Sequence, residues 1–311
     1  MTTALRTAGV RVPCSTSNLG AGFDCLGLAF NRYLDAAFVP GADTLDVERG
    51  GTLSTLVADE QDLFVTAFRA QLAKSGVTEP AGTLRVTSQI PIGRGLGSSG
   101  SAVVAGVALA MAARNETLDR HAALTAALRV EGHPDNAAPA LFGGLVAVMT
   151  AEDGTPRALL QTLSPDLGFV FVAPDIEVST QRARAALPAN VPHSAAVRTV
   201  ARVAALLHGL AHADRGAIAA GCNDEMHVPY RLPLIPGARA VMQAARTAGA
   251  WGATISGAGS GMIAICERGR EEAILMAMED AFRGAGQAAA GFVAQPDRHG
   301  VQPRDAGTLR I

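Results

Sequence analysis

Apolar and β-branched residues in the first ninety positions fall into short runs separated by turn-rich segments, which predicts strands at Val10–Pro13, Ala36–Val39 and Leu84–Ser88. Asp62–Ser75 carries helical periodicity and stops at Gly76. A glycine loop at Gly93–Gly100 then runs into a predicted apolar helix, Ser101–Arg114, followed by a second helix at Leu118–Glu131 and a short strand at Leu145–Met149. Further along, Gly168–Ala173, Ala253–Ser256, Met262–Cys266 and Ala290–Val293 read as strands, and Thr180–Ala186, Ala195–His212, Ala238–Ala248 and Glu271–Ala285 as helices. Strands and helices follow in mixed order, so the fold class is α+β rather than a regular βαβ array. Asp153-Gly154-Thr155-Pro156 is a turn. The region near 150–165 is the expected boundary between a first domain (1–160) and a second (161–311). The tail after Pro296 is polar and gives no clear element.

Composition narrows the chemistry. The 311 residues are 49% hydrophobic and 17% charged, ample for two packed cores. Net charge is −2 and the pI about 6.4, so there is no basic footprint for nucleic acid or anionic lipid. The longest apolar run, Ala102–Ala113, falls short of the roughly 20 residues of a membrane span. The N-terminus has no secretory pattern, and Cys14, Cys25, Cys222 and Cys266 form no CxxC pair; a cytoplasmic protein with reduced, structural thiols is expected. Of 26 basic residues only Lys74 is a lysine, and it sits at a helix end. A Walker-A loop or a protein-kinase lysine is thereby disfavoured.

The densest chemistry is Pro91-Ile92-Gly93-Arg94-Gly95-Leu96-Gly97-Ser98-Ser99-Gly100-Ser101. Its glycines let the backbone approach a ligand, and the unpaired N–H groups and positive dipole of the helix behind it make an anion site suited to phosphate. Ser98 and Ser99 add hydroxyls that can cap the helix or ligate Mg²⁺, and Glu131, at the end of the next helix, is a candidate second metal ligand. The segment is not a dinucleotide fingerprint. His208 and His212 share a helix face but have no third ligand at useful spacing, and Trp251 reads as a packing residue.

Pro91–Ser101 resembles the ATP-phosphate loop of the GHMP kinases, and Ile255-Ser256-Gly257-Ala258-Gly259-Ser260-Gly261 resembles their late glycine loop, with Ser260 where proline is usual. Two further segments, Val12–Gly27 with its Pro-Cys-Ser-Thr-Ser-Asn-Leu-Gly-Ala-Gly-Phe-Asp run and Glu131-Gly132-His133-Pro134-Asp135-Asn136, resemble those of the members that phosphorylate homoserine. The resemblance implies a two-domain fold: an N-terminal domain with a left-handed βαβ crossover and a C-terminal ferredoxin-like α/β sandwich, with the active site between them. It implies ATP and Mg²⁺ as cofactors, L-homoserine as the small-molecule substrate, a product used in threonine biosynthesis, and a homodimer.

By the same resemblance, Pro91, Gly93, Arg94, Gly95, Leu96, Gly97, Ser98, Ser99, Gly100 and Ser101 bind the nucleotide, and Ser99 with Glu131 the metal. Asn18, Asp24, His133, Asn136, Arg184 and Arg231 face the substrate. Asp24 suits the ammonium or the hydroxyl, and the two arginines suit the carboxylate. Asn18, Asn136 and Thr180 are the candidates nearest the transfer. Asp135 is a possible base, or none is needed. The alternatives are a sibling kinase acting on mevalonate or a sugar, and a non-catalytic ligand sensor.

Overall fold

The computed structural model describes residues 4–41, 43–56, 62–309 and 311. The first half contains strands β1 (Ala8–Asn18), β2 (Gly22–Pro40) and β3 (Leu45–Gly51), helix α1 (Leu63–Ala73), strand β4 (Gly82–Ser88), helices α2 (Ser98–Ala113), α3 (Arg120–Glu131) and α4 (Ala137–Phe142), and strands β5 (Leu145–Thr150) and β6 (Pro156–Gln161). The second half contains β7 (Leu167–Pro174), helices α5 (Thr180–Ala185), α6 (His193–His212), α7 (Arg215–Gly221), α8 (Val228–Arg231) and α9 (Ala238–Thr247), strands β8 (Gly252–Ile255) and β9 (Met262–Glu267), helix α10 (Glu271–Gly284), and strands β10 (Ala289–Val293) and β11 (Gln302–Pro303).

β1 and β2 form one long antiparallel hairpin, with register shifts at Pro13/Cys14 and Ser17/Asn18. The sheet runs β11-β1-β2-β4-β3, and β5 and β6 extend it from β2. Its one parallel pair, β3 with β4, is bridged by α1, which gives the expected βαβ unit. The second sheet runs β10-β7-β9-β8, every neighbour antiparallel. That is the fourth, first, third and second of its strands in chain order, the ferredoxin-like arrangement.

α2 is apolar all round, the mark of a helix buried on every side rather than one facing water. It packs against α1, β1 and α3. Its contact with α1 depends on Gly106, where an added Cβ would stand 2.4 Å from the Phe64 carbonyl oxygen and 2.9 Å from the Phe68 nitrogen. Backbone cannot yield as a side-chain tip can. Gly106→Ala is therefore expected to destabilise the protein by about 2 kcal/mol through overpacking, read as a lower urea midpoint than the wild type. An unchanged midpoint would contradict this packing.

Three expectations change. The helix expected from Ser101 begins at Ser98, so Ser98, Ser99 and Gly100 form its first turn rather than the loop. The N-cap is Gly97, in the left-handed region at φ 62° and without a side-chain cap bond, so the serine hydroxyls do not cap. The polar tail also crosses back to the first sheet: the Asp297 N–H donates to the Ala29 carbonyl (2.9 Å), β11 pairs with β1, and Arg304 reaches Asp35 at 2.9 Å. Among the described residues no helix is long and apolar enough to cross a membrane.

Candidate active site

A cavity of about 450 Å³ opens at the N-terminus of α2. Its wall is in part apolar, from Leu53, Leu56, Phe64, Val86 and Ile92, and in part glycine and hydroxyl, from Gly93, Gly95, Gly97, Ser98, Ser99 and Thr180, with Arg49 and Asp62 also lining it. Apolar residues for a base and backbone amides for phosphates suit a nucleotide. The glycines are required by crowding. Gly95 has φ 76° and lies where a Cβ would meet the Ser256 carbonyl oxygen at 2.1 Å, and Gly97 would clash with Asn136 Oδ1 and Ser15 Oγ, both at 2.6 Å.

The late glycine loop braces the first. Ser256 Oγ donates to the Gly95 carbonyl (2.6 Å) and is hydrogen-bonded to Thr16 Oγ1 (2.8 Å), while the Gly261 N–H donates to the Arg94 carbonyl (3.2 Å). Ser260, where the resembled pattern has proline, is buried and donates its hydroxyl to the Ile176 carbonyl (2.5 Å). Gly257 and Gly259 join the cavity wall.

Expected residues divide by where their side chains go. Ser99 Oγ donates to Glu131 Oε1 at 2.6 Å, at the mouth of the loop. The other oxygen, Oε2, is buried without a hydrogen-bond partner. Burial pushes the Glu131 carboxyl up to about 7, against the lowering effect of the Ser99 hydroxyl. An orphaned carboxylate oxygen beside a hydroxyl is a donor set of the kind Mg²⁺ takes, so these residues fit the ion. Arg94 differs from expectation. Its guanidinium turns away from the cavity and pairs with Asp175 at 2.9 Å, so only its backbone serves the nucleotide loop. Leu96 and Ser101 are buried; the first gives its carbonyl to the Ser15 N–H (3.2 Å), the second its hydroxyl to the Pro13 carbonyl (2.9 Å). Their work is to hold the loop against β1. Pro91 lies outside the cavity wall as well. Thr180, first residue of α5, is exposed and lines the cavity.

Asn136 is the link to a second group of polar residues. It lines the cavity, its Oδ1 accepts from Ser15 Oγ (3.1 Å), and its Nδ2 donates to Ser17 Oγ (3.1 Å). Beyond it the turn of the β1–β2 hairpin carries Asn18 and Asp24, both at positive φ (72° and 54°). Asn18 holds this turn: its Oδ1 accepts from the Asp24 N–H (2.9 Å) and its Nδ2 donates to the Gly257 carbonyl (2.8 Å). Asp24 receives both terminal nitrogens of Arg184 at 3.0 Å, a bidentate pair. Sequence reasoning gave these two different groups of a substrate; the fold also joins them to each other.

Arg231 is 2% exposed, and its hydrogen bonds run to the carbonyls of Ala183 (3.3 Å) and Gly257 (3.2 Å) and to His227 (3.4 Å). Among the described residues no carboxylate lies within ion-pair distance of this cation, and a buried guanidinium facing two carbonyls and a neutral imidazole favours an anion beside it. His133 is held below its ordinary pKa by burial and then by the Arg184 cation; Asp135 is pushed up by burial and then by the Asp24 charge. Both therefore belong to the same cluster. Cys14 and Cys25 are pushed up by burial, to about 12 and about 11, so neither is a thiolate nucleophile. The rings of His208 and His212 lie 4.6 Å apart, and no group of three or more metal-ligating side chains occurs among the described residues.

Sequence reasoning passed over Ser15, Ser17 and Ser256 as site residues, although all three stood inside recognised segments. Their hydroxyls connect three segments far apart in the chain, and nothing local marks such a partner. His227 was missed for the same reason, its ring bonding the distant Gly20 carbonyl; Asp224 was missed although its partners, the N–H groups of Met226, His227 and Val228, are local.

A family model described as GHMP kinases N terminal domain matches residues 62–144, and one described as GHMP kinases C terminal matches residues 206–284. The homoserine kinase of Synechococcus sp. (strain CC9605) is 38% identical over 90% of this chain and 90% of its own length. The homoserine kinase of Moorella thermoacetica is 38% identical over 94% of this chain and 98% of its own. Among solved structures, a homoserine kinase from Cytophaga hutchinsonii superposes with TM-score 0.87 at 26% identity, covering 96% of this chain and 97% of that one. L. major mevalonate kinase in complex with R-mevalonate superposes with TM-score 0.70 at 18% identity over 95% and 97%, a likeness of fold alone.

Proposed function

The chain belongs to the GHMP kinase family, and we propose that it is the kinase that transfers the γ-phosphoryl group of ATP to the side-chain hydroxyl of L-homoserine, giving O-phospho-L-homoserine. The observation that carries the substrate is the Asp24–Arg184 ion pair beside the buried Arg231. An α-amino acid presents an ammonium and a carboxylate on one carbon, and this pair presents the two opposite charges side by side. Mevalonate has no ammonium to meet Asp24, and a neutral sugar has neither charge. Homoserine kinases at 38% identity over most of the chain support the same assignment.

The residues then divide the work. The amides of Gly93–Ser99 and the α2 dipole take the phosphates. Ser99 and Glu131 are the residues that would hold Mg²⁺, which when bound neutralises charge developing on the phosphoryl oxygens. Asp24 holds the substrate ammonium, and Arg184 and Arg231 its carboxylate, which aims the hydroxyl past Asn136 toward the phosphates. Asn18 keeps the Asp24 turn in place. His133 lies within the electrostatic reach of Arg184, Asp24 and Asp135 in the same cluster, and Thr180 lines the nucleotide cavity. Positioning and electrostatics supply most of the acceleration in such a transfer. A cytoplasmic homodimer is part of this proposal, its assembly checked by light scattering.

We assign Asp135 no proton-abstracting role. It is buried and absent from the cavity wall. Asp135→Asn is expected to keep kcat within about tenfold of the wild type, whereas removal of a true general base costs on the order of 10²–10⁴-fold. A loss of the latter size with the fold intact, measured by coupled ADP release, would make Asp135 the base. The function itself is tested by that assay with homoserine as acceptor: turnover dependent on both homoserine and Mg²⁺ is expected, and its absence would refute the assignment.

A further inference from the structure

Asp224, His227 and Arg231 form a buried unit of which only the arginine has so far been given a task. Asp224 is fully enclosed, and its carboxylate accepts the N–H groups of Met226 (2.9 Å), His227 (2.7 Å) and Val228 (2.7 Å). These three bonds fix the backbone entering α8 and so fix where the His227 ring stands. The ring nitrogens have different partners. Nε2 lies 2.9 Å from the Gly20 carbonyl, which can only accept, so Nε2 carries the hydrogen. Nδ1 is then a bare lone pair, and it faces Arg231 Nη1, which can only donate, at 3.4 Å. The neutral Nε2–H tautomer satisfies both contacts. A second proton on Nδ1 would point at the guanidinium. Burial pushes His227 down to about 4, and the Arg231 cation adds to that, against the opposing pull of Asp224.

The ring also touches what Arg231 touches. Phe23, one residue before Asp24, stacks on the imidazole with centroids 4.8 Å apart and planes at 19°, and the Arg231 guanidinium carbon lies 5.0 Å from the Phe23 ring centre. The hairpin turn under this contact is costly by itself. Asn18, Leu19 and Asp24, none of them glycine, have positive φ (72°, 48° and 54°), so the turn keeps its shape only where neighbours impose it. His227 is one of those neighbours, through Gly20.

We propose that His227 is a positioning residue for recognition of the substrate carboxylate: through Nδ1 it orients Arg231, and through Nε2 it holds the turn that presents Asp24. The inference rests on the homoserine assignment. It predicts a selectivity that plain packing would not produce. His227→Phe keeps an aromatic ring against Phe23 but removes both polar contacts.

The test compares homoserine with 3-aminopropan-1-ol, which keeps the spacing of hydroxyl and ammonium but lacks the carboxylate. In His227→Phe the KM for homoserine is expected to rise about tenfold while the KM for ATP stays within about twofold, and the kcat/KM preference for homoserine over the amino alcohol to fall about tenfold. His227→Asn places its amide oxygen near the Nδ1 position, an acceptor for Arg231, and is expected to recover most of that preference. If the preference is unchanged in His227→Phe, or if His227→Asn loses as much as the phenylalanine variant, the inference is overturned. A wild-type protein that does not phosphorylate homoserine overturns the underlying assignment instead, and this inference with it. Because the phenylalanine variant can fail to fold, the wild type is also examined by ¹⁵N NMR of its histidines with Arg231→Lys as the assignment control. His227 is expected as the Nε2–H tautomer throughout pH 5–8; a ring that titrates in that range, or that carries its proton on Nδ1, overturns the inference.

Discussion

Glu131→Gln is expected to lower kcat by roughly three orders of magnitude, the cost of losing a preorganised charge at a transferring phosphoryl group, while leaving the protein at least as stable as the wild type. The two effects have one cause. Glu131 Oε2 is buried without a partner, and burial holds the carboxyl at about 7. A charge kept in such a place opposes folding, so the isosteric amide relieves strain and removes function together. The same pKa sets a pH dependence. A cation can take the carboxylate only after the proton has left, so below about 7 proton and Mg²⁺ compete for Glu131. The apparent Mg²⁺ requirement should therefore fall as pH rises from 6 to 8 and level off above. In Glu131→Gln that slope should vanish. Mg²⁺ titrations at fixed ATP read both results; a variant with wild-type kcat and the same Mg²⁺ dependence would remove Glu131 from the metal site.

Arg184→Ala is expected to reduce kcat/KM for homoserine by about 10²–10³-fold, the range for losing one partner of a desolvated charge pair, with the KM for ATP within about twofold. The separation follows from geometry, since neither Arg184 nor Asp24 lines the nucleotide cavity. In the free protein the side chains of Arg184 and Asp24 are 37% and 40% exposed, and an ion pair this open to water adds little to stability. The variant should fold normally and melt within a few degrees of the wild type. With substrate bound, water leaves and the same charges become far more effective. Asp24→Asn should show the same selective loss, and the double variant should lose little more than either single one, because the two residues recognise one zwitterion. Equal losses in the homoserine and ATP parameters would point to a general disturbance of the fold.

How much of this was legible in the chain depended on whether a feature is local. α1 and α10 lay within a few residues of expectation because their periodicity and stop signals are their own. The two glycine loops were readable because only glycine tolerates the backbone angles and close approaches found at Gly95 and Gly97. β3 escaped notice: its alternation places Asp46, Glu48 and Arg49 on an edge strand, where a run of charges resembles a loop. β6 is also an edge strand, with Leu159 and Leu160 both exposed, and its partner β5 supplies the pairing that its sequence does not advertise. The tail gave no signal at all. It is held by bonds to Ala29 and Gly144, residues more than a hundred and fifty positions away. In the site, the charged and amide residues were visible by type, but their pairing was not. Asp24 with Arg184, and His227 with Gly20, are products of the hairpin meeting the second domain. The outward turn of Arg94 toward Asp175 is likewise a tertiary choice.

Acceptor choice tests the account most directly. The purified protein is given ATP and Mg²⁺ with L-homoserine, R-mevalonate, galactose or 3-aminopropan-1-ol, and ADP release is followed for each. Homoserine should be phosphorylated with a kcat/KM at least a hundredfold above the others, and O-phosphohomoserine should be found as the product. Faster turnover of mevalonate or galactose, or ADP release with none of the four, would mean that the charge pair at Asp24 and Arg184 does not select a zwitterionic alcohol.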